Sequence, residues 1–295
     1  LLINCVGFDP HDDTAFIFPV RPLRSQRQDA VYGQVCYKPA VAGLKIIAFE
    51  LYKWGIVVPA LILSTFVIGV IAIVISLLGG GQFASRYVAS FWARFNAFIS
   101  LMDVDIEGMA HLDPSKSYVI VANHQSLLDI YALYGFLPID IKWVMKKELR
   151  RIPVLGLVCE LMGHIFIDRS RTEVALAAIN AAADNLTAGQ SIIFFPEGTR
   201  SMDGQLLPFK KGAFRFSIQT GLPLLPISLV DTHYRLPSGT TDLSAGSATI
   251  VIHPPIPTDD STDVNALAEQ SREIIANTLN ERQLPEGVSR VNQSW

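Results

Sequence analysis

From residue 103 onward, short apolar runs alternate with stretches of helical periodicity. The runs at 118–122, 141–145, 164–167, 191–195, 225–230 and 248–253 read as strands. Between them, 127–136, 172–187 and 211–220 repeat apolar residues at helical spacing, and 263–282 reads as a further amphipathic helix. Alternation of this kind predicts an α/β fold with a mainly parallel or mixed sheet and helices on its faces. Chemistry in such sheets gathers at the loops that leave the strand ends. The loops after 122 and 195 therefore draw attention first.

Ahead of this region the pattern changes. No residue from Trp54 to Ser85 is charged, and 56–78 is almost unbroken Ile, Val, Leu, Ala and Phe. As a helix, 56–78 is about 34 Å long at about 1.5 Å per residue, enough to cross a hydrocarbon core of about 30 Å. The segment is too long and too far along the chain to suit a cleaved signal peptide. A spanning helix, a hairpin lying partly in one leaflet and a buried helix of a soluble domain all remain open. Pro59 and Gly69 are the candidate kinks. Lys38, Lys45 and Lys53 precede the segment and Arg86 and Arg94 follow it, a balance that does not fix orientation. Aromatic residues recur near helical spacing from Phe83 to Phe98, which fits either an interfacial helix or packing onto the following domain. Residues 1–37 carry Pro, Asp and Arg with little periodicity and are expected to be poorly ordered. The expected organisation is thus 1–37 as an N-terminal segment, 38–102 as membrane-anchoring helices and 103–295 as the catalytic domain.

Composition narrows the classes. Hydrophobic residues make up 50% of 295, and mean hydropathy is +0.33, high for a soluble protein. A net charge of −3 gives no sign of a nucleic-acid partner. Three cysteines, Cys5, Cys36 and Cys159, are too widely spaced to suggest a disulfide framework or a zinc site. No metal or other cofactor is expected.

Two motifs carry the candidate chemistry. Asn123-His124-Gln125-Ser126-Leu127-Leu128-Asp129 follows a predicted strand and opens a predicted helix. A carboxylate at Asp129 can turn back to one imidazole nitrogen of His124, fix its tautomer and stabilise the imidazolium, leaving the other nitrogen as a general base. Imidazole suits that task because it is substantially neutral near pH 7. Ser126 has two readings, an acylated nucleophile or the N-cap of the following helix, and its position favours the cap. Phe195-Pro196-Glu197-Gly198-Thr199-Arg200 follows another predicted strand. Arg200 is an anion ligand candidate, because guanidinium pairs bidentately with phosphate and stays charged when partly desolvated. Gly198 allows close approach of the main chain.

These residues resemble the glycerolipid acyltransferases. His124 and Asp129 match that family's H-x4-D motif. Residues 163–169, ending in Arg169, resemble its second block, Phe195 to Arg200 its third, and Leu225-Pro226-Ile227-Ser228 its fourth. One H-x4-D is common by chance; four blocks in order are specific. The sequence is most similar to bacterial 1-acyl-sn-glycerol-3-phosphate acyltransferases over roughly 103–256.

The resemblance implies direct transfer of an acyl chain, without an acyl-enzyme, from acyl-CoA or acyl-carrier protein to the sn-2 hydroxyl of lysophosphatidate. It implies His124 and Asp129 as the catalytic pair, and Arg169, Glu197, Gly198, Thr199 and Arg200 on the acceptor. Glu197 could hold an arginine or touch the glycerol backbone. Lys146, in a basic stretch like that of relatives, is read either as facing the phosphate or as solvated surface. The family setting implies a bilayer partner, namely the inner (cytoplasmic) membrane with the catalytic domain on the cytoplasmic side. Three alternatives stand beside this reading: an acyltransferase for another lyso-lipid such as lyso-ornithine lipid or a lysophospholipid, a thioesterase, and a non-catalytic lipid-binding membrane protein.

Overall fold

The computed structural model describes residues 47–168, 179, 181 and 186–282. Seven strands form one sheet in the order β1-β7-β6-β2-β5-β3-β4. They are β1 (Met102–Glu107), β2 (Val119–Ala122), β3 (Asp140–Lys146), β4 (Ile165–Ile167), β5 (Gln190–Phe194), β6 (Leu224–Val230) and β7 (Gly246–Ile252). β6, β2, β5, β3 and β4 run parallel. β7 is antiparallel to β6, and β1 runs with β7. The mixed sheet expected from the alternation is therefore present.

β2 and β6 are apolar at nearly every position because both of their faces are covered. Ile120, Ala122, Ile141, Trp143 and Ile193 point to one core, and Val119, Val121, Ile192 and Phe194 to the other. β1 was not expected. Its burial alternates, and Asp103, Asp105 and Glu107 stand on its open face at the sheet edge.

Helices cover both faces. α1 (Val58–Ile75), α2 (Ala89–Ile99), α3 (Leu128–Phe136) and α4 (Leu155–Leu161) serve the first core, and α5 (Gly212–Thr220) and α7 (Val264–Arg282) the second; α6 (Thr232–Arg235) is a single turn. The helix expected over 172–187 lies, but for a few positions, outside the described residues, and residues 1–37 lie outside them entirely.

The helical run Ile47–Ile99 is long and apolar enough to cross a membrane, yet it doubles back. Gly79 takes φ +89, a conformation that glycine enters without strain, and the chain reverses there. Trp92 Nε1 then reaches Thr65 Oγ1 at 3.1 Å, Asn96 meets Ser64, and the Tyr52 hydroxyl donates to the Ile99 carbonyl at 2.8 Å. The reversal is at Gly79, beyond the two positions expected as kinks. Gly69 has another use: Val154 packs so close that a Cβ there would lie 2.7 Å from Val154 Cγ1.

The hairpin is bound tightly to the sheet domain. Ala89, Ala93 and Ala97, on one stripe of α2, let it approach α3, where an added Cβ on Gly135 would meet the Arg94 backbone nitrogen at 3.2 Å. Below the hairpin turn, the buried Ser85 hydroxyl donates to Asp140 Oδ1 at 2.6 Å, while Lys142 Nζ and Gln190 Nε2 contact Asp140 Oδ2 at 3.0 and 2.9 Å. Lys142 is thus a buried partner of Asp140 rather than a surface lysine. The opposite side of the hairpin stays uncovered: Leu63, Phe66, Leu77, Leu78, Phe91 and Phe98 are all more than half exposed.

Candidate active site

The two motifs meet because β2 and β5 are neighbours. The register pairs Val121 with Phe194, so the loop after β2 stands level with the loop after β5. Asn123 extends the sheet by side chain: its Nδ2 donates to the Leu229 carbonyl at 2.8 Å, and its Oδ1 accepts from the Leu229 N–H at 2.7 Å. This locks the start of the His124 loop to β6.

Asp129 lies in the first turn of α3 and is wholly buried. One oxygen, Oδ2, accepts from His124 Nδ1 at 2.8 Å, from the Gln125 N–H at 2.8 Å and from the Ser126 N–H at 2.9 Å. With that oxygen accepting, Nδ1 carries the proton and Nε2 keeps a lone pair. The His124 side chain is 17% exposed, enough for a reacting group to reach it. Its ring stacks on Phe195 at 3.8 Å between centroids and 8° between planes. Phe195 in turn meets Trp143 at 6.0 Å.

The third block also grips the main chain of His124. Glu197 Oε1 accepts from the His124 N–H at 2.6 Å, Glu197 Oε2 accepts from the Leu207 N–H at 2.8 Å, and the Ser201 N–H donates to the His124 carbonyl at 2.9 Å. Both Glu197 oxygens are therefore occupied within the protein. The sequence reading placed Glu197 against an arginine or the glycerol; the structure places it against the base. Burial pushes its carboxyl up to about 7, even though the two N–H donors pull the other way. Phe195 was quoted in the motif but not assigned a role, and its stacking could not be seen without the strand register.

Ser126 accepts from the Leu128 N–H at 3.1 Å and donates its hydroxyl to the Leu236 carbonyl at 2.8 Å. Its proton is committed to a carbonyl and the residue is buried, which does not suit a nucleophile. The cap expected of Ser126 is not formed as such: the cap position falls on Leu127, without a side-chain bond, and Ser126 closes the turn one residue ahead of it.

Gly198 takes φ +76, Thr199 is exposed and Arg200 is half-buried. Among the described residues Arg200 has no hydrogen bond or ion pair. Lys146 ends β3 on the same edge of the sheet, exposed and 3.7 Å from Glu148. Arg169 lies outside the described residues. The arrangement as a whole is an oriented imidazole base beside an uncompensated guanidinium, which fits proton removal from a hydroxyl on a molecule that also carries an anion.

Comparison with known proteins agrees with this chemistry. The family described as Acyltransferase matches residues 103–230. A 1-acyl-sn-glycerol-3-phosphate acyltransferase from Chlamydomonas reinhardtii is 33% identical over 244 residues, covering 82% of this chain and 72% of that protein. The human 1-acyl-sn-glycerol-3-phosphate acyltransferase alpha is 38% identical over 172 residues, 57% of this chain and 61% of that protein. Among solved structures, the 1-acyl-sn-glycerophosphate (LPA) acyltransferase PlsC from Thermotoga maritima superposes with a TM-score of 0.68 at 27% identity, covering 83% of this chain and 99% of that one. The chain is an enzyme of the acyltransferase class, and it belongs to the 1-acyl-sn-glycerol-3-phosphate acyltransferase family.

Proposed function

We propose that this chain moves a fatty acyl group from a thioester donor to the sn-2 hydroxyl of 1-acylglycerol-3-phosphate, giving phosphatidate. The observation that carries the reading is the His124–Asp129 pair, with Nε2 free and the unpaired Arg200 in the adjoining loop. His124 Nε2 takes the hydroxyl proton as the oxygen attacks the thioester carbonyl. The new C–O bond forms, the C–S bond breaks, and the thiolate leaves with the proton returned from the imidazolium. Asp129 stabilises that imidazolium, and Glu197 acts through the main chain of His124. Arg200 binds the acceptor phosphate, Thr199 adds a hydroxyl at the same loop, and Gly198 keeps the main chain bare. Arg169 and Lys146 are placed on the acceptor by motif position. The donor is acyl-CoA or acyl-carrier protein.

Arg200→Ala is expected to lower kcat/KM for lysophosphatidate about 10- to 150-fold, the worth of a charged hydrogen bond, while the donor KM stays near that of the wild type. A panel of lyso-lipid acceptors with one acyl-CoA, products identified by mass, checks it. If the wild type prefers an acceptor lacking phosphate, such as lyso-ornithine lipid, and Arg200→Ala leaves that preference unchanged, the acceptor assignment is wrong. Thiol release without any acceptor would favour a thioesterase; no thiol release with any acceptor would favour a lipid-binding protein.

We also propose that the uncovered face of the hairpin lies in lipid, with the catalytic domain on the cytoplasmic side of the inner membrane. Each large apolar side chain left in water costs about 1.5–3 kcal/mol, so a face carrying Leu63, Phe66, Leu77 and Leu78 needs a cover. The protein should stay with membranes through alkaline carbonate washing. Recovery in the soluble fraction without detergent would refute the lipid assignment.

A further inference from the structure

Lys210 lies outside the four motif blocks, yet the fold ties it to the third. Its N–H donates to the Pro196 carbonyl at 2.8 Å. Its side chain then runs back over Gly198: a Cβ at 198 would stand 3.1 Å from Cδ, 3.0 Å from Cε and 2.5 Å from Nζ. Glycine is favoured there by φ +76, and the lysine side chain fills the space that a Cβ would take. A side chain at 198 would push the ammonium off the loop that carries Thr199 and Arg200.

Among the described residues no carboxylate pairs with the cationic side chains of this loop, and neither the Lys210 ammonium nor the Arg200 guanidinium has a hydrogen bond or ion pair. The carboxylate nearest in the chain, Glu197, has both oxygens on backbone N–H groups. Asp203 is turned inward to its own loop, accepting from Ser201 and Gln205. An ammonium thus lies over Gly198 and a guanidinium follows two residues later, in the loop that grips the main chain of His124. A guanidinium gives a planar fork and an ammonium gives a compact charge with three donors, so together they suit an anion with several oxygens and more than one charge.

A phosphate monoester near pH 7 carries about −1.5 to −2 charges and three terminal oxygens, while a diester carries about one charge. We propose that Lys210 is a second phosphate-binding residue, which lies over Gly198 and with Arg200 selects acceptors bearing a phosphate monoester over those bearing a diester. This rests on the acceptor reading given above and deepens it.

The test uses the full chain in detergent with one acyl-CoA. It compares kcat/KM on 1-acylglycerol-3-phosphate and on 1-acyl lysophosphatidylglycerol for the wild type, Lys210→Met and Lys210→Arg. The expected result is that Lys210→Met lowers the monoester-to-diester preference roughly tenfold to a hundredfold, mainly through the acceptor KM, and that Lys210→Arg restores most of it. A preference within about threefold of wild type in Lys210→Met overturns the assignment, as does an equal loss on both acceptors, which is what a purely structural lysine would give. A wild type that does not acylate 1-acylglycerol-3-phosphate overturns the functional reading itself, and is recognised before any variant is made.

Discussion

His124→Ala is expected to lose acyl transfer by about 10²–10⁴-fold or more, with the fold intact. The imidazole is the one group in the described site with a free lone pair held in place by a buried carboxylate. Removing it leaves Asp129 with two backbone donors, Gln125 and Ser126, so the turn into α3 survives. Asp129→Asn should be milder. Asp129 uses a single oxygen for all three contacts, and an asparagine oxygen can occupy that place and accept the same bonds. What it cannot supply is the negative charge opposite the imidazolium, and its amide would fall where Asp129 Oδ1 has no partner. Single-turnover rates with a fixed acyl-CoA separate the two variants. Near-normal turnover in a folded His124→Ala protein would sink the mechanism.

The His124–Asp129 pairing was legible because its signal is local: the two residues are joined by one loop and one helix turn, and the strand before them is apolar throughout because it is central. β1 was missed because an edge strand need bury only one face, and Asp103, Asp105 and Glu107 disguise it as a polar stretch after a helix. The reversal at Gly79 was hidden inside an uncharged run with several glycines. Hydropathy reports that such a run is apolar and not where it turns. The close approach of Val154 to Gly69 is likewise made only by the tertiary fold.

Other features depend on register between distant strands. The His124 ring stacks on Phe195, which meets Trp143 at a tilt, and the three come from the end of β2, the end of β5 and β3. Lys142 is buried against Asp140, which Gln190 and Ser85 also contact, an environment that only the packing of distant elements creates. The same network joins the hairpin to the sheet. α3, which carries Asp129, is packed between that hairpin and the sheet, so the apolar hairpin and the Asp129 carboxylate share one core. The His124–Asp129 site is therefore placed relative to the hairpin's uncovered apolar face by packing and not by a flexible tether.

Glu197 offers the sharpest physical test of how the third block supports the first. Its folded carboxyl titrates at about 7, raised by burial, against about 4.5 for an unperturbed glutamate. Between those values the folded protein holds a proton that the unfolded chain releases. The stability linked to Glu197 is thus fully present below about 4.5 and is lost as pH rises through about 7. A shift of this size corresponds to roughly 3 kcal/mol across the window. Glu197→Gln, neutral at every pH, should remove that slope from a plot of thermal or denaturant midpoint against pH. The variant should also lose rate above about pH 7, where the wild-type carboxylate is ionised, because the glutamine amide cannot accept from both the His124 and the Leu207 N–H groups and the base then sits on a loosened loop. Adding a smaller group, as in Glu197→Ala, leaves both donors buried without an acceptor and should lower stability further. If the wild type and Glu197→Gln show the same slope between pH 5 and 8, Glu197 is not the titrating group. If Glu197→Gln keeps the wild-type rate, the carboxylate clamp on His124 has no catalytic consequence.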